Sequence, residues 1–288
     1  MELSILTTQP EKDYALLDSG DEEKLERYGK VIVRRPDPQA LWHKQMSGQE
    51  WDKAQAVFTR DEDDARWQLA EGLPESWSID FQGLKFLIKL SAFKHTGLFP
   101  EQAANWQWAS NLIKTKKNVK ILNLFGYTAG ATLAAAKAGA EVCHVDSSKP
   151  AMIWARNNAE ASGLAAAPVR WIVEDAGTFV RRELNRGSKY DGIILDPPAF
   201  GHGPKGELWK IEEDLVRLLE NCVSLLSTKP LFFLINGYAA GYSPLAYAHN
   251  LEVLTRKYGG QITAGELTIA EEKSGRLLPC GIFARWQN

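Results

Sequence analysis

The segment Ile121–Ser147, reading ILNLFGYTAGATLAAAKAGAEVCHVDS, constrains the fold of this chain more than any other stretch. It reads as an apolar strand, a glycine-bearing turn, a helix of small residues and a second strand that closes on a carboxylate. That order is one half of a nucleotide-cofactor layer in an α/β fold, with the ligand at the C-terminal ends of the strands. The strand around Ile121–Phe125 delivers the chain to Gly126-Tyr127-Thr128-Ala129-Gly130. Two glycines there are expected to permit backbone angles and close ligand approach that a Cβ forbids.

Asp146 lies twenty positions after Gly126, at the end of the next strand. An acidic side chain there can accept hydrogen bonds from both hydroxyls of an adenosine ribose, and a capping aspartate is the alternative. The glycine spacing bears on which adenosine cofactor is held. A dinucleotide site usually shows G-x-G-x-x-G, so that a helix N-terminus cradles a pyrophosphate. Here the second glycine follows the first by four residues and position 128 is Thr. A sulfonium cofactor without phosphates, S-adenosylmethionine, is therefore favoured, with NAD left open.

A second motif, Tyr190–Phe200, reads YDGIILDPPAF: an apolar strand ending in Asp196-Pro197-Pro198-Ala199-Phe200. The prolines fix φ and donate no N–H, so they end the strand and leave rigid carbonyls, a carboxylate and an aromatic face at the sheet edge. A plain strand-terminating turn would need the same prolines. Position separates the two readings, because this is the fourth strand of a series whose first carries the glycine turn. From residue 102 onward the expected helices are Gln102–Lys117, Ala131–Ala138, Lys149–Ser162, Ala176–Asn185, Ile211–Leu226 and Pro244–Tyr258. They alternate with strands Lys120–Phe125, Glu141–Val145, Val169–Val173, Gly192–Leu195 and Leu231–Asn236, and two strands near Thr263–Ile269 and Leu277–Trp286 follow. Such alternation predicts a parallel sheet with helices on both faces.

Four segments together resemble one family: Lys94–Gln102 (KHTGLFPEQ), the Asn123–Gly130 turn, Val145–Ser148 with Ala155–Asn158 downstream, and Leu195–Phe200. The chain resembles the class I S-adenosylmethionine-dependent methyltransferases, and among them the large-subunit ribosomal RNA methyltransferases of the I and K/L type. The resemblance implies a Rossmann-like α/β fold, a mostly parallel seven-stranded sheet with helices on both faces, whose last strand is antiparallel. The resemblance runs from about Lys94 to the C-terminus and implies a methyltransferase domain over 93–288, while the punctuation and alternating runs of the residues before it predict a small, mainly β N-terminal domain over residues 1–92.

On the cofactor, the resemblance implies that Asp146 holds the ribose hydroxyls with Ser147 beside it, and that Asp175, followed by Ala176, accepts from the adenine amino group. The turn Asn123, Phe125, Gly126, Tyr127, Thr128 and Gly130 is to face the methionine part. Thr96, Phe99 and Gln102 are to close over the cofactor, although Thr96-Gly97 also suits a helix cap. Asn158 is to order the loop near the ribose, unless it merely faces water. Asp196 borders both cofactor and acceptor. Methyl transfer from a sulfonium is an in-line displacement in which the protein mainly positions the acceptor and excludes water, and no metal is expected. Asp196, Pro197, Pro198 and Asn236 are the candidates for orienting the acceptor, with Phe200 stacking on an extruded base. His202, in Gly201-His202-Gly203-Pro204, could remove a proton, or be a loop histidine without function.

The family's cytosine-carbon-5 enzymes need a cysteine nucleophile. Neither Leu195–Phe200 nor Ile235–Ser243 contains one, so a nitrogen acceptor on a base of ribosomal RNA is expected. A small molecule or a protein side chain remains an alternative acceptor, and a non-catalytic RNA-binding assembly factor an alternative role.

Charge enters where RNA binding is at issue. Net charge is −2; residues 1–90 carry 18 acids and 12 bases, residues 91–288 carry 18 and 22. Cation clusters that could meet phosphate are Lys114, Lys116, Lys117 and Lys120, then Arg181, Arg182, Arg186 and Lys189, then Lys205 and Lys210, unless each is only a solvated face. No apolar run is long enough for a membrane span, and the opening MELSILTTQPEKDYALL lacks the pattern of a signal peptide. Cys143, Cys222 and Cys280 are widely spaced without a metal-ligand pattern, and a reducing cytoplasm is expected. The first ninety residues carry Pro/Gly punctuation and alternating runs such as Gly29–Arg34 and Ser78–Phe81, with Gln82-Gly83 turning into Leu84–Leu90. Trp42, Trp51, Phe58, Trp67 and Trp77 are expected to serve mainly as core there, with base stacking as the alternative.

Overall fold

Alternation of side chains on each central strand divides the apolar residues between two cores. Leu122, Leu124, Ile193, Leu195, Phe233 and Ile235 belong to one, while Ile121, Ile194, Phe232 and Leu234 belong to the other. A strand buried on both faces needs this near-continuous apolar run, which is why these segments form the middle of a parallel sheet. In the computed structural model, which describes residues 1–60, 65–91, 94–238 and 241–288, they do so.

The large sheet has eight strands in the order Glu2–Thr8, Gln261–Ala270, Leu277–Gln287, Phe232–Gly237, Gly192–Leu195, Lys120–Leu124, Glu141–Asp146, Val169–Val173. The five strands between Lys120 and Gly237 pair in parallel, and Leu277–Gln287 pairs antiparallel to Phe232–Gly237. All seven expected strands are present, and Glu2–Thr8 adds an eighth at the edge. This segment falls within the expected β domain of residues 1–92, where no strand was read from it. Its alternating ELSILTT leaves Leu3 and Ile5 exposed, so its pattern carries little sign of which sheet it joins. Strand order reverses between Lys120–Leu124 and Gly192–Leu195. This is the topological switch point where an open α/β sheet offers a crevice beyond its C-terminal ends.

Helices Ala103–Ile113, Gly130–Lys137, Lys149–Ala161, Ala176–Asn185, Ile211–Ser224 and Pro244–Thr255 connect the strands. Ala103–Ile113 is shorter than the expected Gln102–Lys117, because Pro100–Gln102 forms a 3-10 turn and Thr115 caps the Leu112 carbonyl at 2.7 Å. The segment after Asp-Pro-Pro, read from sequence as a glycine-rich loop, is a short hairpin of Phe200–His202 and Leu208–Lys210.

By contact density the chain forms two units. One comprises residues 1–6, 102–267 and 281–288; the other comprises residues 7–101 and 268–280. The boundary expected between residues 92 and 93 falls outside the described residues. The second unit is built on an antiparallel run of Tyr14–Gly20, Glu23–Tyr28 and Val31–Pro36. Ala56–Arg60 joins it in parallel, and Ala65–Leu69 closes the sheet. A separate hairpin pairs Ser76–Phe81 with Leu84–Lys89 across Gln82-Gly83, both with φ in the left-handed region that a tight hairpin needs. Its aromatic residues are structural: Trp51 and Phe58 are buried, and the indole N–H groups of Trp42, Trp67 and Trp77 donate to the carbonyls of Ser19, Ser91 and Tyr28. Glu26, fully buried, accepts from Tyr14, Tyr28 and Arg35, which satisfies a charge that would otherwise be costly to bury.

Candidate active site

Two strand ends meet at the switch point. After Leu124 the chain enters a turn in which every second residue is left-handed: Phe125, Tyr127 and Ala129 have φ of 57°, 48° and 76°. Its N–H groups are committed to separate acceptors: that of Gly126 to the Val145 carbonyl and that of Ala129 to the Gly126 carbonyl. The Tyr127 N–H donates to Asp146 Oδ2 at 2.8 Å, and the Ser148 N–H donates to Oδ1 at 2.8 Å. Asp146 is thereby fixed at the end of its strand. Burial pushes its pKa up, and the two backbone N–H groups counter this.

The two glycines do not supply the backbone angles expected of them. Neither Gly126 nor Gly130 lies in the left-handed region; non-glycine neighbours do. A Cβ on Gly126 would stand 2.4 Å from the His144 ring, and one on Gly130 would stand 2.3 Å from the Trp106 indole. Glycine is required to admit two aromatic side chains behind the turn. His144 is locked there: Asn123 Nδ2 donates to Thr132 Oγ1 at 2.8 Å, and that hydroxyl lies 2.9 Å from His144 Nδ1. Burial drives the His144 pKa down to about 3, so the imidazole is neutral. Asn158 is buried rather than facing water, and its Nδ2 holds the Thr128 carbonyl at 2.9 Å.

Asp175 ends the next strand and caps the helix Ala176–Asn185, its Oδ1 accepting from the Thr178 N–H at 2.7 Å. Ser147 follows Asp146, while Ser148 caps the helix Lys149–Ala161. Thr96 and Phe99 belong to the other unit, where the Thr96 hydroxyl meets Tyr28 Oη and Phe99 rests against His95. Thr96 caps no helix. Gln102 lies in the same unit as the turn.

On the acceptor side, Leu195 and Ile235 are paired in register, which brings Asp196 and Asn236 side by side at the strand ends. Asn236 Oδ1 accepts from Asn105 Nδ2 at 2.9 Å; Asn105 Nδ2 also reaches Gln102 Oε1 at 3.1 Å, and Gln102 donates to the Tyr238 hydroxyl. The Pro198 carbonyl accepts from the Trp209 indole at 2.7 Å, and Trp209 packs on Phe125 with ring centroids 5.2 Å apart. The hairpin therefore turns Trp209 inward, toward the glycine turn. Its register places Phe200, His202, Leu208 and Lys210 on the opposite face, where Phe200 is 56% and Leu208 52% exposed.

Asn105, Thr132, His144, Trp209 and Tyr247 are absent from the sequence reading of the site. A signal existed for two of them: Asn105 is a polar residue on the apolar face of its helix, and His144 interrupts an apolar strand. Half of the ten cations in the proposed phosphate clusters are in ion pairs: Lys116 with Asp191, Lys120 with Glu141, Arg182 with Glu174, Arg186 with Glu183 and Lys210 with Glu213. Cys143 and Cys222 are buried and Cys280 is half-buried; all are free, and burial raises each thiol pKa, that of Cys143 to about 11. Among the described residues no His, Cys, Asp and Glu group is placed to hold a metal, and no helix is long and apolar enough to cross a membrane.

The profile of the S-adenosylmethionine-dependent methyltransferase family matches residues 47–250. The chain belongs to this family. This methyltransferase is also similar over 99% of its length to a crystallised SAM-dependent methyltransferase from Agrobacterium tumefaciens, with 42% identity, a TM-score of 0.95 and 95% of that chain covered. A methyltransferase crystallised in complex with SAH shares the fold, at 20% identity and a TM-score of 0.70 over 96% of this chain and 76% of that one. Among curated proteins it is 37% identical to ribosomal RNA large subunit methyltransferase I of Aeromonas salmonicida over 42% of this chain and 30% of that protein. It is 32% identical to methyltransferase K/L of Shewanella frigidimarina over 50% and 20%. The chain thus matches less than a third of the length of these two curated relatives.

S-adenosylmethionine is the cofactor of this methyltransferase, and the residues present fit it. A carboxylate held by two backbone N–H groups closes the strand beside the turn, where hydroxyl donors can reach it, and the turn lacks the G-x-G-x-x-G pattern of a pyrophosphate site.

Proposed function

We propose that this methyltransferase modifies a nitrogen on a base of large-subunit ribosomal RNA. The observation that carries the reading is the junction of Asp196-Pro197-Pro198 with a hairpin that exposes Phe200 and Leu208 right beside the cofactor turn. An exposed aromatic next to a carboxylate suits an extruded base, which needs a stacking face and an acceptor for its N–H. The names of the curated relatives supply the substrate class.

The bound cofactor supplies an electrophilic methyl group on a sulfonium. Asp146 accepts the ribose hydroxyls, Asp175 uses the oxygen not committed to its cap for the adenine amino group, and the Asn123–Gly130 turn lines the methionine end. Asp196 accepts a hydrogen bond from the acceptor amine or ring N–H, while the Pro197 and Pro198 carbonyls and Asn236 fix its plane. The acceptor's own lone pair attacks, so no covalent enzyme intermediate is required. The buried thiols, held protonated, support nitrogen over cytosine carbon 5, because a carbon acceptor needs a thiolate. Free cysteines suit a reducing compartment such as the cytoplasm.

The ion-paired state of Lys116, Arg182, Arg186 and Lys210 favours the competing reading, an uncharged small molecule or protein acceptor. Transfer of labelled methyl from S-adenosylmethionine to ribosomal RNA, ribosomal subunits, protein and metabolites, with mass spectrometry of the product, decides between them. An N-methylated nucleoside is expected. Label confined to protein or metabolites, or 5-methylcytosine as product, overturns the reading.

A further inference from the structure

Tyr247, on the helix Pro244–Thr255, is 1% exposed, and its hydroxyl is buried with no hydrogen-bond partner among the described residues. A phenylalanine would fill the same space without the cost of burying that hydroxyl. The cost is incurred twice over, since a second position gives way to the same oxygen. The Tyr247 Oη occupies the space of a side chain at residue 237, where a Cβ would approach it to 2.4 Å, and residue 237 is glycine. Gly237 follows Asn236 at the end of its strand, and that strand pairs in parallel with the one ending at Leu195, the residue before Asp196. The hydroxyl therefore stands at the strand ends where the acceptor carboxylate is. Burial raises the Tyr247 pKa to about 12, with the Asp196 charge the next contributor, so the phenol keeps its proton to donate.

We infer that Tyr247 is a positioning residue for Asp196: with an acceptor in place, its O–H donates to the Asp196 carboxylate and fixes the orientation of that group. The inference rests on the acceptor role proposed for Asp196. In the structure the Tyr247 ring lies beside Tyr242, with centroids 6.5 Å apart. A phenol O–H on the carboxylate would fix the face that Asp196 presents to the acceptor. No proton changes hands; the phenol acts only as a hydrogen-bond donor.

A double-mutant cycle tests this, with wild type, Tyr247→Phe, Asp196→Ala and the double variant compared on whichever acceptor the wild-type enzyme labels. Tyr247→Phe is expected to lower kcat about tenfold, as the loss of a hydrogen bond to a charged group does, with S-adenosylmethionine affinity unchanged and Tm unchanged or higher. In the Asp196→Ala background the same change is expected to have no further effect on kcat. Unaltered kcat in Tyr247→Phe, a kcat loss that adds to that of Asp196→Ala, or a fall in Tm would each overturn the inference. Full activity of Asp196→Ala would instead remove the acceptor role of Asp196, and the inference with it. The Tm comparison needs no acceptor and holds even where no RNA is labelled.

Discussion

Gly126→Ala tests why this turn contains glycine. Its backbone is outside the left-handed region, so alanine meets no conformational penalty there; the obstacle is the His144 ring, 2.4 Å from the new Cβ. His144 has no exposed edge to escape through and is tied to Thr132. Relief therefore requires a shift of the packed ring, about 1–3 kcal/mol for overpacking. Losing the Thr132 contact adds about 1 kcal/mol. A total of about 2–4 kcal/mol corresponds to a Tm drop of about 3–7 °C for a chain of this size. Urea or thermal unfolding of Gly126→Ala, His144→Ala and the pair measures the coupling. If the clash is with the imidazole, Gly126→Ala costs at least about 1.5 kcal/mol less once His144 is alanine. An equal cost in both backgrounds would refute the packing argument and return the glycine to the role first read from the sequence, close approach by a ligand.

Other outcomes follow from the same geometry. Asp146→Ala is expected to weaken S-adenosylmethionine binding by about 1–3 kcal/mol in calorimetric titration, because a charged acceptor held by two backbone N–H groups is removed. Asp196→Ala is expected to lower turnover while leaving that titration nearly unchanged; the reverse pattern would exchange the two roles. Glu183 gives a pH dependence. Burial pushes its pKa up, but hydrogen bonds from Arg170, Tyr190, Ser188 and Arg186 outweigh this and hold it at about 2. A folded-state pKa below the ordinary value contributes stability that is present above about pH 4.5 and is lost as pH falls toward 2. The Tm gap between wild type and Glu183→Gln is therefore expected to shrink from pH 6 to pH 3, approximately. A constant gap would mean that the carboxylate charge contributes nothing.

The strands and most helices of the large sheet were legible because burial on both faces forces apolar runs, and glycine and Asp-Pro-Pro mark where those runs end. Asp146 was legible for the same reason: a carboxylate closing an apolar strand has few structural uses. The hairpin after Pro198 was not, because Gly201, Gly203 and Gly206 mask its pairing, and only Trp209 packing inward reveals it. The Asn105–Asn236 bond joins residues 131 positions apart, and no local pattern encodes such a pair. The place of Glu2–Thr8 in the large sheet was not legible, because an edge strand with exposed apolar residues is consistent with either sheet.

The segment 268–280, which belongs with residues 7–101, has a consequence for synthesis. Arg276 reaches the buried Asp18, and Glu271 accepts from Ser19. When the first hundred residues leave the ribosome, the cation that neutralises Asp18 has not yet been translated, and a carboxylate stripped of water without its partner opposes folding by several kcal/mol. The amino-terminal unit therefore waits, unfinished, for the last strands of the chain. A premature stop before residue 268 would damage residues 7–101, which are made well before it.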